Sequence, residues 1–503
     1  MSPKTARATA AFILFLFSGL ASRAELGFSE TELRDREQVP QGYFGWSVAV
    51  SGDTALVGAL NDDAVYVFVR QDGAWAQQAR LSPDPGPVGI RFGLSVALSG
   101  DTAVVGAPFE DVGQPGAGGA VYVFVRRDGV WEREAKLTAG SFALSDAFGY
   151  AVDVSGNVLV AGIASLSFSA PESGAAEVFV RRDGAWTRQA QLTAPDGRPG
   201  DFFGGSVAVS GGRVLVTARR YDVGGVADAG AAFVFVRNGR DWDLEARLTA
   251  SDPAPFDRFG TSVDLAGNTA VVGAWLDNPD EIPDAGAAYV FVREDGAWTE
   301  QAKLTAPDAE TSDQFGSDVA VSGDTVAIGA WREDARGDAS GSAYLFRRQG
   351  EDWNLFSKLT ASDTQAHDQF GFALALEGDT LVVGAFGASE QQFDSGSAYV
   401  FAGPFLRVVA TPAEQTVPAG GVAPLTITVR NFGSSRLRNV QVNVAPSCSV
   451  SLGTLFPGQR KRVTCPVTTG SAGFTFVYLV FVTATPLEGP PIRAVTSARV
   501  VAE

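Results

Sequence analysis

The stretch FGLSVALSGDTAVVGAP, Phe92 to Pro108, decides how this chain is read. Two short apolar runs flank Gly100-Asp101, the kind of dipeptide that a two-residue hairpin turn with positive φ demands. The second run is apolar throughout, as expected of a strand covered on both faces. A third run follows in AVYVFVR, Ala120 to Arg126, and after a turn comes WEREAKLT, Trp131 to Thr138. There Trp131, Ala135 and Leu137 fall on one face and Glu132, Glu134 and Lys136 on the other, the alternation of an outer, half-exposed strand.

The four-strand unit recurs. Phe-Gly pairs stand at Phe44, Phe92, Phe148, Phe203, Phe259, Phe315 and Phe370, spaced 48 to 56 residues apart. Each is followed eight residues later by a glycine, from Gly52 to Gly378. Seven four-stranded units at this period predict an all-β chain built as a seven-bladed β-propeller. A linear stack of the same units is the alternative.

The outer strand predicts how the ring closes. Its leucine lies eleven residues before the next Phe-Gly at Leu81, Leu137, Leu192, Leu248, Leu304 and Leu359, and the same count back from Phe44 gives Leu33. The seventh unit ends at SAYVFAG, Ser397 to Gly403, with no outer strand after it. Residues near 26–34 are therefore expected to complete the last blade. Gly27 stands where the other units have tryptophan, so Leu26 or Phe28 is expected to fill that space.

These motifs resemble the FG-GAP repeat of integrin α-subunit propellers and of many secreted bacterial proteins. VVGAPFED, Val104 to Asp111, carries the Gly-Ala-Pro element, and the resemblance covers residues 26–403. It implies a propeller used for extracellular adhesion or ligand binding. Integrin-type blades often carry a DxDxDGxxD calcium loop between the first two strands. Here that connection is only a Gly-Asp-type turn, too short to supply the six to eight oxygen ligands calcium takes.

The ends differ from the middle. Lys4 and Arg7 precede the apolar run Ala10 to Leu20, and Ser22-Arg23-Ala24 offers small residues for cleavage, so residues 1–24 read as an export signal. The propeller is assigned to 25–403. Residues 404–503 alternate apolar and polar residues between turn signals; about seven short strands fit an immunoglobulin-like β-sandwich. Cys448 and Cys465 are expected to form a disulfide in an exported chain. FTFVYLVFVT, Phe474 to Thr483, reads as a buried strand, being too short to span a membrane. The net charge of −18 is concentrated between the two ends: the last 100 residues hold nine Lys/Arg and three Glu. An acidic central region disfavours nucleic acid and anionic membrane.

The catalytic inventory is thin. His367 is the single histidine, and its position is Ser312, Phe256, Gly200 or Ser145 in other units, as for a variable loop residue. No nucleophile-elbow motif accompanies it. No catalytic residue, cofactor or metal site is expected. Arg336-Gly337-Asp338 reads as a chance tripeptide in a loop rich in these residues.

In an up-and-down blade, turns 1–2 and 3–4 lie at one end and loops 2–3 and 4–1 at the other. Arginines crowd the 3–4 turns, and acids crowd the longer 2–3 loops: Asp277, Asp280, Glu281 and Asp284, then Glu333, Asp334 and Asp338, then Glu390 and Asp394. Asp257, Asp313 and Asp368 join them from the 4–1 loops. The position of Pro108 is Trp275, Trp331 and Phe386 in units five to seven, and Trp46, Tyr150 and Phe372 follow their Phe-Gly. Exposed aromatics beside acids suit a sugar ring or a protein hot spot. The expected contacts are Trp275, Asp277, Asp280, Trp331, Asp334, Phe386 and Asp394, presented by a secreted or cell-surface, monomeric, non-enzymatic binding protein to an extracellular protein or polysaccharide. The alternatives are a polysaccharide-active enzyme using paired carboxylates on that face and a structural surface component.

Overall fold

The computed structural model describes residues 28–502 apart from 37–38, 73, 84–88, 115–116, 141–145, 166–172, 389–394, 403–405, 412–413, 419–420, 432–436, 446–447, 457–458, 469–474 and 487–491. The export segment assigned to 1–24 lies outside them. The chain divides into two compact units, one over Phe28–Pro404 and one beginning at Phe405.

The first unit is a seven-bladed propeller. Each blade is an antiparallel sheet in chain order, as in blade 5 with Val263–Ala266, Thr269–Ala274, Ala287–Glu294 and Ala297–Leu304. A single bridge between Ala147 and Gly118 also links blades 2 and 3. The second strands are the core: TALVGA (Thr54–Ala59), TAVVGA (Thr269–Ala274) and TLVVGA (Thr380–Ala385) are buried at every position. Both of their faces meet neighbouring blades, which is why they carry no polar alternation.

Glycines set the distance between blades. A Cβ on the glycine ending one blade's second strand would lie 2.0 Å from the carbonyl oxygen of the next blade's Phe-Gly glycine. The pairs are Gly106 on Gly149, Gly162 on Gly204, Gly273 on Gly316, Gly329 on Gly371 and, across the closure, Gly384 on Gly45, with Gly58 on Gly93 making the same contact at 2.5 Å. Real Cβ atoms do not approach so closely, so any side chain here pushes two sheets apart. Blade 4 departs from the rule with Thr217, whose hydroxyl accepts the amide of Ser206 at 3.1 Å.

Outside this seam, the outer strands hold hands by hydrogen bonds. Trp131, Trp186, Trp242, Trp298 and Trp353 each donate from Nε1 to Gln78, Glu134, Gln189, Glu245 and Gln301 of the preceding blade, at 2.9–3.3 Å.

The N-terminal strand closes the ring. β1, Ser29–Leu33, pairs antiparallel with Ser397–Ala402, with Leu33 opposite Ala398. Leu33 is buried, and its partner position matches that of Leu304 opposite Ala288. The segment expected to fill the tryptophan space is Phe28. It packs edge-on against Phe401, with ring centroids 6.3 Å apart, as part of the cluster around Leu359 and Phe370. Counting by sequence points to Gly27 because each complete outer strand contains a one-residue irregularity, for example opposite Val290/Phe291. β1 runs without one, so its residues fall one position later. Glu30 shows the shift: its carboxylate accepts the Ser362 amide at 2.9 Å, as Glu300 accepts that of Ser251.

The second unit has eight strands in two sheets, one more strand than the sequence pattern suggested. Leu406–Thr411, Val422–Asn431 and Arg460–Thr468 form one sheet; Glu414–Val417, Ile492–Ala502, Thr475–Pro486, Leu437–Ala445 and Cys448–Leu455 form the other. Leu425, Ile427 and Val429 meet Val440, Val442, Val480 and Val482 in the core between them. Of the run Phe474–Thr483, residues 475–483 lie in a strand that gives Val480 and Val482 to this core, and Phe474 lies outside the described residues. Cys448 and Cys465 are disulfide-bonded and tie one sheet to the other.

Ring closure through β1 has a measurable consequence. Leu33→Ala removes a fully buried side chain from the closing strand and should cost about 2–4 kcal/mol in urea denaturation. A loss under about 0.5 kcal/mol, the level of an ordinary surface change, would mean that β1 does not hold the ring.

Candidate functional site at the mouth of the channel

The two ends of the propeller differ in how their charges are satisfied. At the end of the Gly-Asp turns, arginines find acids directly: Arg70 reaches Asp53 and Arg126 reaches Asp101, both at 2.6 Å, while Arg213 and Arg293 share Glu245. These turns are a closed belt.

At the opposite end many of the acids prove to be internal struts. Asp277 is buried; it accepts a hydrogen bond from the Tyr289 hydroxyl at 2.5 Å and pairs with Lys303 at 2.9 Å. Glu333 is buried too, held by Ser342 at 2.6 Å and Lys358 at 2.7 Å. Glu110 repeats the arrangement with Tyr122 and Lys136. Each lies inside its blade because a third-strand hydroxyl, of tyrosine at 122 and 289 and of serine at 342, and an outer-strand lysine converge on it. The 4–1 loop acids are also turned inward. Asp257, Asp313 and Asp368 are buried and accept the amides of Ala254, Glu310 and Gln365, three residues earlier, at 2.6–2.7 Å. They are turn-forming acceptors. Enclosure pushes Asp257 and Asp313 up to about 6.

Of the 2–3 loop acids, Asp280, Glu281, Asp334 and Asp338 are exposed and Asp284 is half-buried. Asp280 lies in a single 3-10 turn, Pro279–Glu281. Asp334 also accepts the Ala339 amide at 2.7 Å. Glu390 and Asp394 lie outside the described residues. His367 is exposed, 3.8 Å from Asp338, in a position that takes positive φ in blade after blade: His367, Ser312 and Phe256 all lie near +70°. Backbone shape rather than chemistry selects that position.

The aromatic residues converge. Trp46 and Phe372, on the first strands of blades 1 and 7, lie 4.8 Å apart by ring centroids; Phe386 stands 4.5 Å from Phe372 and 4.9 Å from Trp46. Tyr43 adds to Phe386 at 5.6 Å, and Trp331 meets Phe372 edge-on at 5.9 Å. All five are half-buried. Trp275 is half-buried as well, and the indole Nε1 atoms of Trp275 and Trp331 are enclosed without a hydrogen-bond acceptor. Trp275, Trp331 and Phe386 thus belong to the channel mouth, while Asp280 and Asp334 sit in loops beyond it and Asp277 lies beneath.

Two positions at this mouth went unread in the sequence. The residue before each Phe-Gly has positive φ in six blades: Tyr43, Arg91, Phe202, Arg258, Gln314 and Gln369. And the column of Trp275, Trp331 and Phe386 contains Arg219 in blade 4. Both columns were countable from the Phe-Gly register.

Below the mouth lies the channel, a lumen of about 420 Å³ lined by the first strands of all seven blades, with Trp46 and Phe372 at its wall. Asp153, Asp264 and Asp318 face it. Each bridges two blades, accepting one amide from its own strand and one from the next: Val209, Val321 and Leu374, at 2.6–2.7 Å. First strands have an unpaired edge in a propeller, and these carboxylates satisfy part of it. Desolvation within the ring pushes the three up to about 7, 6 and 7. Among the described residues no group of three or more His, Cys, Asp or Glu side chains is placed to hold a metal ion.

The FG-GAP repeat profile matches this chain seven times, at residues 30–68, 75–124, 131–179, 186–235, 242–291, 298–346 and 353–401, more than half of its length. No curated protein shows significant similarity. Among solved structures, a protein assigned as a 6-phosphogluconolactonase from Bacteroides fragilis aligns at 11% identity and TM-score 0.43, covering 88% of this chain and 98% of that one. A sialidase from Trypanosoma rangeli aligns at 11% identity and TM-score 0.35, covering 80% and 87%. Neither similarity bears on function.

The lumen acids set a pH dependence. A carboxyl held above its unfolded value near 3.8 makes the native state bind the extra proton, so its stabilisation is present at low pH and is lost as pH rises through the folded value. Thermal stability should therefore fall between about pH 5 and pH 7.5. Asp153→Asn combined with Asp318→Asn should flatten that slope, whatever it does to the absolute melting temperature. An unchanged slope would locate the titration elsewhere.

Proposed function

The chain belongs to the FG-GAP repeat family, and we propose that it is an exported, non-enzymatic binding protein that engages an extracellular ligand at the channel mouth. The observation that carries this reading is the cluster of Tyr43, Trp46, Trp331, Phe372 and Phe386, half-buried together at one end of the ring. Contiguous apolar surface on an otherwise polar protein marks a binding site, and aromatic anchors dominate such sites. The ligand contacts are Trp275, Trp331 and Phe386 at the mouth, with Asp280 and Asp334 from the loops around it; Asp394, expected from the sequence to join them, lies outside the described residues. Asp277, engaged by Lys303 and Tyr289, supports the blade from beneath.

The C-terminal unit is read as an immunoglobulin-like spacer or docking module. Two packed sheets pinned by one disulfide support that assignment, and a disulfide suits an oxidising extracytoplasmic compartment. The propeller is the recognition element. An integrin-like role in adhesion is the specific form of binding that we favour.

The test is a screen of immobilised glycans and matrix proteins with the full chain, followed by Trp331→Ala and Phe386→Ala. Each substitution should weaken binding to the best ligand by about tenfold or more, as removal of a hot-spot aromatic does. Unchanged affinity in both variants would place the ligand elsewhere. Catalytic turnover of a bound glycan would overturn the non-enzymatic reading.

A further inference from the structure

The mouth has a second side, and its chemistry is opposite to what the acidic composition suggests. Blades 4 and 5 bring three guanidinium groups together there, beside Tyr150 of blade 3. Arg219 leaves the end of the second strand Arg213–Ala218, at the column that holds Trp275 and Trp331 elsewhere. Its guanidinium carbon lies 4.0 Å from the centroid of Phe202, and that ring stands edge-on to Tyr150 at 5.4 Å. Arg220 approaches the same ring at 5.7 Å. Arg258, placed by positive φ just before Phe259, completes the group and pairs with Asp228 at 3.1 Å.

Arg219 differs from its neighbours in its pairing. Among the described residues Arg219 is joined to no carboxylate; its polar partner is the Tyr150 hydroxyl. The other acids nearby have structural partners: Asp222 pairs with Arg198 at 3.1 Å and accepts the Asp228 amide, and Asp201 accepts the Arg198 amide at 2.6 Å. Burial holds Arg219 below the usual guanidinium range, with the charge of Arg220 adding to it and the Tyr150 hydroxyl opposing it; burial does the same to Arg258 against the pull of Asp228, with Arg220 and Arg219 adding to it. Enclosing a cation without a counter-charge is costly. Guanidinium forks match carboxylate and sulfate geometry in bidentate fashion. A site that gathers them at an open mouth is preorganised for an anion that arrives from outside.

We propose that Arg219, with Arg220 and Arg258, forms an oxyanion-binding subsite that takes the carboxylate or sulfate group of an acidic sugar. The inference rests on the channel-mouth reading above and gives it a ligand class. The aromatic side of the same mouth supplies faces for the sugar rings, and the cationic side fixes the acidic group. The net charge of −18 repels a long polyanion, so the fit is to a single acidic residue or a chain end within an otherwise neutral glycan.

The experiment is calorimetric titration of the full chain with digalacturonate, 6-sulfated galactobiose and neutral galactobiose. At least one acidic probe should bind about tenfold or more tightly than the neutral one, as charge-assisted pairing requires. Arg219→Gln should abolish that preference, Arg219→Lys should restore part of it, and Arg258→Gln should weaken it independently, with melting temperature confirming the fold in each variant. Equal binding of acidic and neutral probes, no binding of any acidic probe at millimolar concentration, or an unaltered preference in both glutamine variants would overturn the subsite. Capture of acidic peptides with no acidic sugar bound would overturn the glycan assignment. Loss of binding in Trp331→Ala with the arginine variants unaffected would leave the mouth as the ligand face and remove only the anion subsite.

Discussion

Everything in this propeller depends on how closely one blade can approach the next. At the seam, the glycine of one second strand meets the carbonyl of the next Phe-Gly, with no room for a Cβ between them. A second contact lies alongside: in blades 2 to 7 the glycine before the third-strand core sits against the backbone of the following Phe, as Gly286 does on Phe315 and Gly396 on Phe44, while Asp63 holds the position in blade 1. With backbones this near, the phenylalanine of each Phe-Gly becomes fully buried, and a tyrosine and a second phenylalanine pack around it, as with Phe259, Tyr289 and Phe291. Spacing, core composition and repeat motif are one constraint seen three ways.

The constraint explains why the architecture was legible. Phe, Gly, the turn and the outer leucine are dictated by backbone contact and φ, so they recur at countable intervals. Leu33 was recognised as a closing leucine by that count alone, and it lies opposite Ala398. The residue that stands in for tryptophan was harder to place. Complete outer strands carry an irregularity that β1 lacks, and Phe28 takes the space that the count assigns to Gly27. A one-residue bulge leaves no mark in composition.

The mouth was less legible, because a residue type does not say which way it faces. Asp277 and Glu333 look like loop acids, yet lysines at 303 and 358 and tyrosines at 289 and 344 enclose them. Asp257, Asp313 and Asp368 look like surface charge and act as backbone acceptors. Aromatic residues were easier to find, since Trp275, Trp331 and Phe386 share one register position. Arg219 shares it too, and escaped notice because the column was read for aromatics only.

The resulting picture is a rigid ring whose two ends serve different ends of the chemistry. One end is a belt of arginine–acid pairs that finish the turns. The other opens onto the channel with aromatic residues on blades 6, 7 and 1 and guanidinium groups on blades 4 and 5. The most direct test is amide hydrogen exchange of the full chain, free and bound to the strongest ligand from a glycan and matrix-protein screen. Slower exchange should be confined to peptides around Tyr43–Trp46, Arg219–Tyr221, Trp331–Glu333 and Phe370–Phe372. Protection confined instead to the Gly-Asp turns at the opposite end, or to the C-terminal unit, would contradict it.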